Sequence, residues 1–136
     1  MIGAVELSDV SKTYATVKAV DDLSFQVDRG EIFGLLGPNG AGKTTAIRMI
    51  LDIIKPDSGQ IRVLGQEMGE ELKPRIGYLP EERGLYDDMT VMDTLLFLGQ
   101  LKGLSGGVAR QRAETYLREV ELWDERGRKI QALSRG

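Results

Sequence analysis

The chain has 136 residues, with 18 basic and 21 acidic side chains for a net charge of −3, and it contains neither cysteine nor histidine. This length predicts one domain at most, and the acidic balance offers no basic surface for nucleic acid. Without these two residue types, disulfides, thiolate metal sites and imidazole bases are excluded, which suits a reducing cytosol. No apolar run approaches the roughly 18 residues of a membrane span and no signal peptide opens the chain, so a membrane role is expected to come through a partner.

Alternating polar and apolar residues predict strands near the N-terminus. The run Ala4-Val5-Glu6-Leu7 predicts an edge strand, and Leu23-Ser24-Phe25-Gln26-Val27 predicts a second strand antiparallel to it. A turn at Asp28-Arg29-Gly30-Glu31 then leads into Ile32-Phe33-Gly34-Leu35-Leu36, which is expected to be a short, buried strand.

The next stretch, Gly37-Pro38-Asn39-Gly40-Ala41-Gly42-Lys43-Thr44 with Thr45 behind it, fits the phosphate-binding pattern of spaced glycines followed by lysine and a hydroxyl residue. Glycines let the backbone N–H groups of such a loop point at a phosphate, because a side chain there would block it. Lys43 is expected to reach the β- and γ-phosphates, and the Thr44 hydroxyl to bind Mg²⁺. A helix predicted over residues 43–54 turns its N-terminus towards the anion. The chain is therefore predicted to bind a nucleoside triphosphate; the alternative is a glycine turn with a chance lysine.

Turn signals and short apolar runs alternate beyond this helix. Lys55-Pro56-Asp57-Ser58-Gly59 ends the helix, and Gln60-Ile61-Arg62-Val63-Leu64 predicts a strand. Ile76-Gly77-Tyr78-Leu79 predicts another buried strand, broken by Pro80. The following Glu81-Glu82-Arg83-Gly84-Leu85-Tyr86 holds two carboxylates and an arginine, a composition that is most often a solvated loop.

Two helices are predicted in the last third. Thr90-Val91-Met92-Asp93 is a capping box that opens a helix whose apolar face closes at Gly103. In Leu104-Ser105-Gly106-Gly107, Ser105 is expected to cap a helix over about residues 108–120. The chain ends in Leu133-Ser134-Arg135-Gly136.

Taken together, these segments resemble the N-terminal part of the ATP-binding subunit of an ATP-binding-cassette (ABC) transporter, in the subgroup that drives small drug or ion exporters. The resemblance covers the whole chain but only the first part of a typical cassette. The matching positions are Tyr14 and residues 19–25, 30–32, 37–45, 56–59, 76–81 and 133–136.

The resemblance implies roles for individual residues. Tyr14 would stack on adenine, although a half-buried strand tyrosine is the commoner fate of such a residue; Thr45 would contact the α-phosphate. Thr44 and Glu81 would hold Mg²⁺, with Glu81 standing where the family usually has glutamine. Leu133, Ser134, Arg135 and Gly136 match the first half of the signature that acts on the nucleotide of a second subunit, with arginine in place of the usual glycine. Residues 104–107 spell that signature more closely, but they are better explained as a helix cap.

The implied fold is α/β: a cassette of the phosphate-loop NTPase type, with a mixed antiparallel and parallel sheet and a helical subdomain, cut off before the second half of its core. Residues 1–88 would form the first part of the nucleotide-binding core, and residues 89–136 the helical subdomain ending in the signature.

The implied protein binds MgATP and hydrolyses it to drive transport. The resemblance to small exporters favours export as the direction. Its expected partners are membrane-spanning subunits and a second ATP-binding subunit, with no nucleic acid, and its expected place is the cytoplasmic face of the cell membrane. The family's catalytic glutamate and switch histidine would lie beyond residue 136, so this chain alone is expected to bind ATP without hydrolysing it. The alternatives are a soluble cassette ATPase of DNA repair or translation, and a simple phosphotransfer kinase, which the leading strands and Tyr14 disfavour.

Overall fold

The computed structural model of the chain describes residues 3–80 and 84–133. Two compact units make up the chain, Met1–Gly77 and Tyr78–Gly136. Sheet and helices together give the α/β composition expected from the sequence. A functional boundary after residue 88 stays a prediction. Among the described residues, no helix has both the length and the apolar character needed to cross a bilayer.

The first unit contains an antiparallel sheet of three strands. These are β1 (Val5–Tyr14), β2 (Val17–Val27) and β3 (Ser58–Val63), in the order β2-β1-β3. The strand predicted at the sheet edge is therefore its central strand: Leu7 of β1 faces Phe25 of β2 and Ile61 of β3. Alternation reports which face a residue occupies, and it carries no information on how many neighbours the strand has.

One helix, α1 (Lys43–Ile50), packs on this sheet. Met49 of α1 joins Leu7, Val10 and Val20 in a buried cluster, which is the core of the unit. The helix ends four residues earlier than predicted. Leu51 is its C-cap, and Asp52 then takes a positive φ of 59°, which a continuing helix excludes.

Two apolar runs predicted as buried strands form no strand. Residues 32–36 and 76–79 lie in irregular backbone, where the side chains of Leu36 and Leu79 are 93% and 91% exposed. Phe33 is held in part, since its ring stacks on Phe25 with centroids 4.9 Å apart. A strand needs a neighbour for its backbone N–H and C=O groups. Within residues 3–80 and 84–133, no strand pairs with either run. The parallel part of the expected mixed sheet is therefore not formed there, and the sheet is wholly antiparallel.

The second unit is built on two helices, α2 (Val91–Leu101) and α3 (Gly106–Glu119). Both predicted caps are confirmed: Thr90 Oγ1 accepts from Asp93 N at 3.1 Å, and Ser105 Oγ accepts from Val108 N at 3.5 Å. Val91, Leu117 and Ile130 form the buried cluster of this unit. Single 3₁₀ turns occur at Lys73–Arg75, Trp123–Glu125 and Ile130–Ala132.

Candidate nucleotide-binding site

The phosphate loop, residues 37–45, crosses from irregular backbone into the first turn of α1. Gly40 and Gly42 have φ values of 82° and 87°, in the left-handed region that side chains disfavour. At Gly42 space is limiting as well, because a Cβ there would lie 2.1 Å from the carbonyl oxygen of Ala19 in β2. Nothing lies within 4 Å of a Cβ placed on Gly40. Both glycines are thus required by the backbone, and Gly42 also by its contact with the sheet.

Lys43 is folded back across the loop. Its ammonium donates to the carbonyl oxygens of Gly37 and of Pro38, the latter at 2.8 Å. Ala41 N also donates to the Pro38 oxygen, at 3.1 Å, which closes the loop into a turn. The lysine cation therefore already lies beside the loop backbone, held by neutral carbonyl groups that an anionic phosphate can outcompete.

The N-terminus of α1 faces this loop without a side-chain cap. The first helical hydrogen bond runs from Ala46 N to Gly42 O at 2.8 Å, so the amides of Lys43, Thr44 and Thr45 precede the helical ladder. The first turn carries no acidic residue to oppose an anion. Backbone donors at the positive end of a helix are the usual setting for a bound phosphate.

A depression of about 330 Å³ opens between the start of β2 and the start of α1. Its lining includes Ala41, Gly42 and Lys43 of the phosphate loop. Beside them lies an ion pair between Lys18 and Asp21. The rest of the lining is mainly apolar and consists of Ala19, Val20, Leu23, Leu35, Leu36 and Ala46.

Tyr14 is the last residue of β1 and lies at the tip of the β1–β2 hairpin. It pairs with Val17 across a two-residue turn in which Ala15 has a positive φ of 49°. The tyrosine is 46% exposed, and the ammonium of Lys12 lies over its ring, 5.8 Å from the centroid. The ring is therefore open to an additional stacking partner, as an adenine-binding aromatic needs to be.

Nothing in the sequence indicated that Asp57 bonds to two residues of this hairpin. One carboxylate oxygen of Asp57 pairs with Lys12 Nζ at 2.7 Å, and the other accepts from Thr13 N at 2.8 Å. The hydrogen bond from Lys12, and then the one from Thr13, hold the pKa of the Asp57 carboxyl below its ordinary value. Only the turn character of residues 56–59 was legible in the sequence.

Comparisons with known proteins identify the family. The family model described as ABC transporter matches residues 20–136 of the chain. The chain belongs to the ABC transporter family. The expected cassette fold is confirmed by a solved structure described as the ATP-binding subunit of an ABC transporter. That structure is 32% identical, superimposes with a TM-score of 0.78, and aligns over 96% of this chain and 56% of its own.

Two curated relatives in the ABC transporter family show where the similarity ends. The uncharacterized ABC transporter ATP-binding protein YhaQ of Bacillus subtilis (strain 168) is 42% identical over 96% of this chain, which is 44% of the relative. The Nod factor export ATP-binding protein I of Paraburkholderia xenovorans (strain LB400) is 40% identical over 98% of this chain, which is 45% of the relative. The chain thus spans less than half the length of these relatives and corresponds to part of an ABC nucleotide-binding domain.

The remaining predicted site residues are Glu81 and residues 133–136. Glu81, Ser134, Arg135 and Gly136 lie outside the described residues. Leu133 is described: it packs against the Val91–Leu117–Ile130 cluster, and its N–H donates to Ile130 O at 3.1 Å.

Thr44 is the described residue expected to bind Mg²⁺. Its side chain is exposed at the start of α1, and within the described ranges no group of three or more acidic, histidine or cysteine residues could hold an ion. Mg²⁺ on a nucleotide commonly takes few protein ligands and completes its shell with phosphate oxygens and water. One hydroxyl beside a phosphate loop therefore fits Mg²⁺ carried by a nucleotide, and does not fit a resident metal site.

Proposed function

We propose that the chain binds MgATP as part of the ATPase subunit of an ABC transporter, in which ATP hydrolysis drives transport out of the cell. The observation that carries this proposal is the phosphate loop. Its glycines take left-handed conformations, its lysine lies across its own carbonyl groups, and the uncapped N-terminus of α1 stands behind it. This combination of backbone donors and one mobile cation suits a polyphosphate anion.

The predicted site residues, inside and outside the phosphate loop, have separate roles in this proposal. Lys43 and the loop amides hold the β- and γ-phosphates, and Thr45 contacts the α-phosphate. The exposed ring of Tyr14 stacks on the base. Thr44 and Glu81 are the protein ligands of the Mg²⁺ that accompanies the nucleotide, where the ion neutralises phosphate charge. Ser134 and its neighbours, residues 133–136, act on the nucleotide of a second subunit.

The proposed partners are membrane-spanning transporter subunits and a second ATP-binding subunit arranged head to tail. The protein would then lie at the cytoplasmic face of the cell membrane as a peripheral subunit. Export is favoured because a curated relative is named for Nod factor export. Co-purification of the protein with membrane subunits would support this assignment, and co-purification with ribosomes or DNA would contradict it.

The test of nucleotide binding is Lys43→Ala, measured by calorimetry with MgATP. Hydrogen bonds to charged groups are worth roughly 1.5–3 kcal/mol, so the variant should bind at least about ten times more weakly. The fold should persist, because the hydrogen bonds of the lysine within the described part of the chain are exposed and go to carbonyl groups of its own loop.

The matched control is Lys55→Ala. Lys55 follows the C-terminal end of α1, is largely exposed and pairs with Asp52, so its removal should leave nucleotide affinity unchanged. Equal affinity of the wild type and Lys43→Ala would refute the proposed phosphate site.

We also propose that residues 1–136 alone do not turn over ATP. The chain supplies the phosphate loop, but it has no histidine, and the resemblance assigns the water-orienting glutamate to a position that these residues do not contain. Loss of a positioned acid or base typically costs 10²–10⁴-fold in rate. Phosphate release from MgATP should therefore equal that of Lys43→Ala. A Lys43-dependent rate near one per second would show that catalysis is assembled within these residues.

A further inference from the structure

The hairpin tip, residues 12–17, extends beyond the third strand of the sheet. Strand β3 begins at Ser58, and Ser58 pairs with Ser11 of β1. The next residues of β1 therefore have β2 on one side and no β3 residue on the other. Tyr14 stands at the end of this overhang.

Asp57, the residue immediately before β3, takes the place that a longer β3 would have. Its amide donates to Ser11 O at 2.9 Å, and its carboxylate accepts from Thr13 N at 2.8 Å. The same carboxylate pairs with Lys12 Nζ at 2.7 Å. Asp57 thus contacts three consecutive residues, 11–13, through its backbone N–H and its carboxylate, and all three directly precede Tyr14.

Lys12 continues this chain of contacts to the tyrosine ring. Its side chain is only 17% exposed, and its ammonium lies 5.8 Å from the centroid of the Tyr14 ring. The lysine and the ring are therefore neighbours at the end of β1. The hydrogen bond from Lys12, and then the one from Thr13, lower the pKa of Asp57 and so favour its ionised form.

Packing does little to hold the tip by itself. Val17 is 66% exposed, and Ala15 between the strands takes the left-handed conformation that costs an alanine energy. The orientation of Tyr14 therefore depends on hydrogen bonds to the overhanging backbone and on the lysine beside the ring.

We infer that Asp57 is a positioning residue for the nucleotide base: through Lys12 and Thr13 it fixes the overhanging end of β1, so that Tyr14 presents its ring at the angle stacking requires. The inference rests on the proposed function, because it assumes that Tyr14 meets the base. Asp57 does not touch the nucleotide in this arrangement. Its removal should weaken recognition of the base and leave recognition of the phosphates intact.

The experiment compares two ligands on the full-length protein that contains this chain. MgATP has a base, whereas inorganic tripolyphosphate with Mg²⁺ has only phosphates. Asp57→Asn keeps the size of the side chain and removes its charge. Base stacking on an aromatic is worth roughly 1–3 kcal/mol, so partial loss of alignment should weaken MgATP binding on the order of 3- to 10-fold. Tripolyphosphate affinity should stay within about twofold, which is the spread expected of uncoupled sites.

A double-mutant cycle then asks whether Asp57 acts through Tyr14. Tyr14→Ala should weaken MgATP alone, and adding Asp57→Asn to it should cause no further loss. Lys12→Met should reproduce the Asp57→Asn pattern by removing the other half of the ion pair. Asp52→Asn is the matched control, because Asp52 also pairs with a lysine but lies after α1.

Each remaining outcome decides against the inference. If Asp57→Asn weakens both ligands equally, or still weakens MgATP binding when Tyr14 is alanine, Asp57 only supports the fold. If Tyr14→Ala leaves MgATP affinity unchanged, there is no base contact to position. Failure of the proposed function itself gives a different pattern: Lys43→Ala would then leave tripolyphosphate affinity unchanged.

Discussion

The phosphate loop and the hairpin tip are positioned in opposite ways. The loop is fixed by its own backbone: Gly40 and Gly42 set its path, and Lys43 bonds to carbonyl groups within the same turn. The tip is fixed by a side chain from another part of the chain, since Asp57 reaches Lys12 across 45 positions in sequence. Damage to the loop should therefore be local and severe, whereas damage to the tip should be graded.

The largest effect is expected at the loop, from Gly42→Ala. The new Cβ would meet the Ala19 carbonyl oxygen at 2.1 Å, and φ would be held at 87°. Overpacking typically costs 1–3 kcal/mol and a left-handed alanine roughly 1–2 kcal/mol. The free energy of unfolding should fall by about 2–5 kcal/mol, as measured by urea denaturation.

Gly40→Ala is the matched control for this substitution. Its φ of 82° is nearly the same, but nothing lies within 4 Å of the added Cβ. The cost should therefore be conformational only, about 1–2 kcal/mol. Equal costs at the two glycines would mean that contact with β2 contributes nothing, and that the left-handed backbone alone accounts for the need for glycine.

This contrast also explains what the sequence could predict. The phosphate loop and the caps at Thr90 and Ser105 depend on residues within a few positions of one another, and all three are legible as short patterns. The reading of Ser105 as a cap, and not as a signature serine, is supported by its bond to Val108 N. Local chemistry decides such features, so local sequence suffices.

Features that depend on distant partners were not predictable. The hydrogen bond from Thr13 N to the Asp57 carboxylate joins two segments far apart in sequence. An aspartate in a turn before a strand does not indicate such a bond. Residues 32–36 are as apolar as a buried strand, but Leu36 is 93% exposed, because a strand also needs a neighbour. The central position of β1 was missed for the same reason, since β3 follows it only after α1.

The smallest effect is expected at the tip, from the pH dependence of Asp57→Asn. The hydrogen bond from Lys12 and the one from Thr13 hold the pKa of Asp57 below its ordinary value of 3.8. A carboxyl with a lower pKa in the folded state stabilises that state above its unfolded pKa, and this contribution is lost as pH falls through the folded pKa. The wild type should therefore be more stable than Asp57→Asn at neutral pH, and the difference should shrink below about pH 4.

Urea midpoints of both proteins between about pH 7 and about pH 3 measure this difference. The same comparison in a Lys12→Met background separates the two causes. Without the lysine the difference should be smaller at every pH but should persist, because the Thr13 amide still donates to the carboxylate. A difference that is constant across the range, or that grows in acid, would show that ionisation of Asp57 does not stabilise the tip. The tip would then still be held by a side chain from a distant segment, but not by its negative charge.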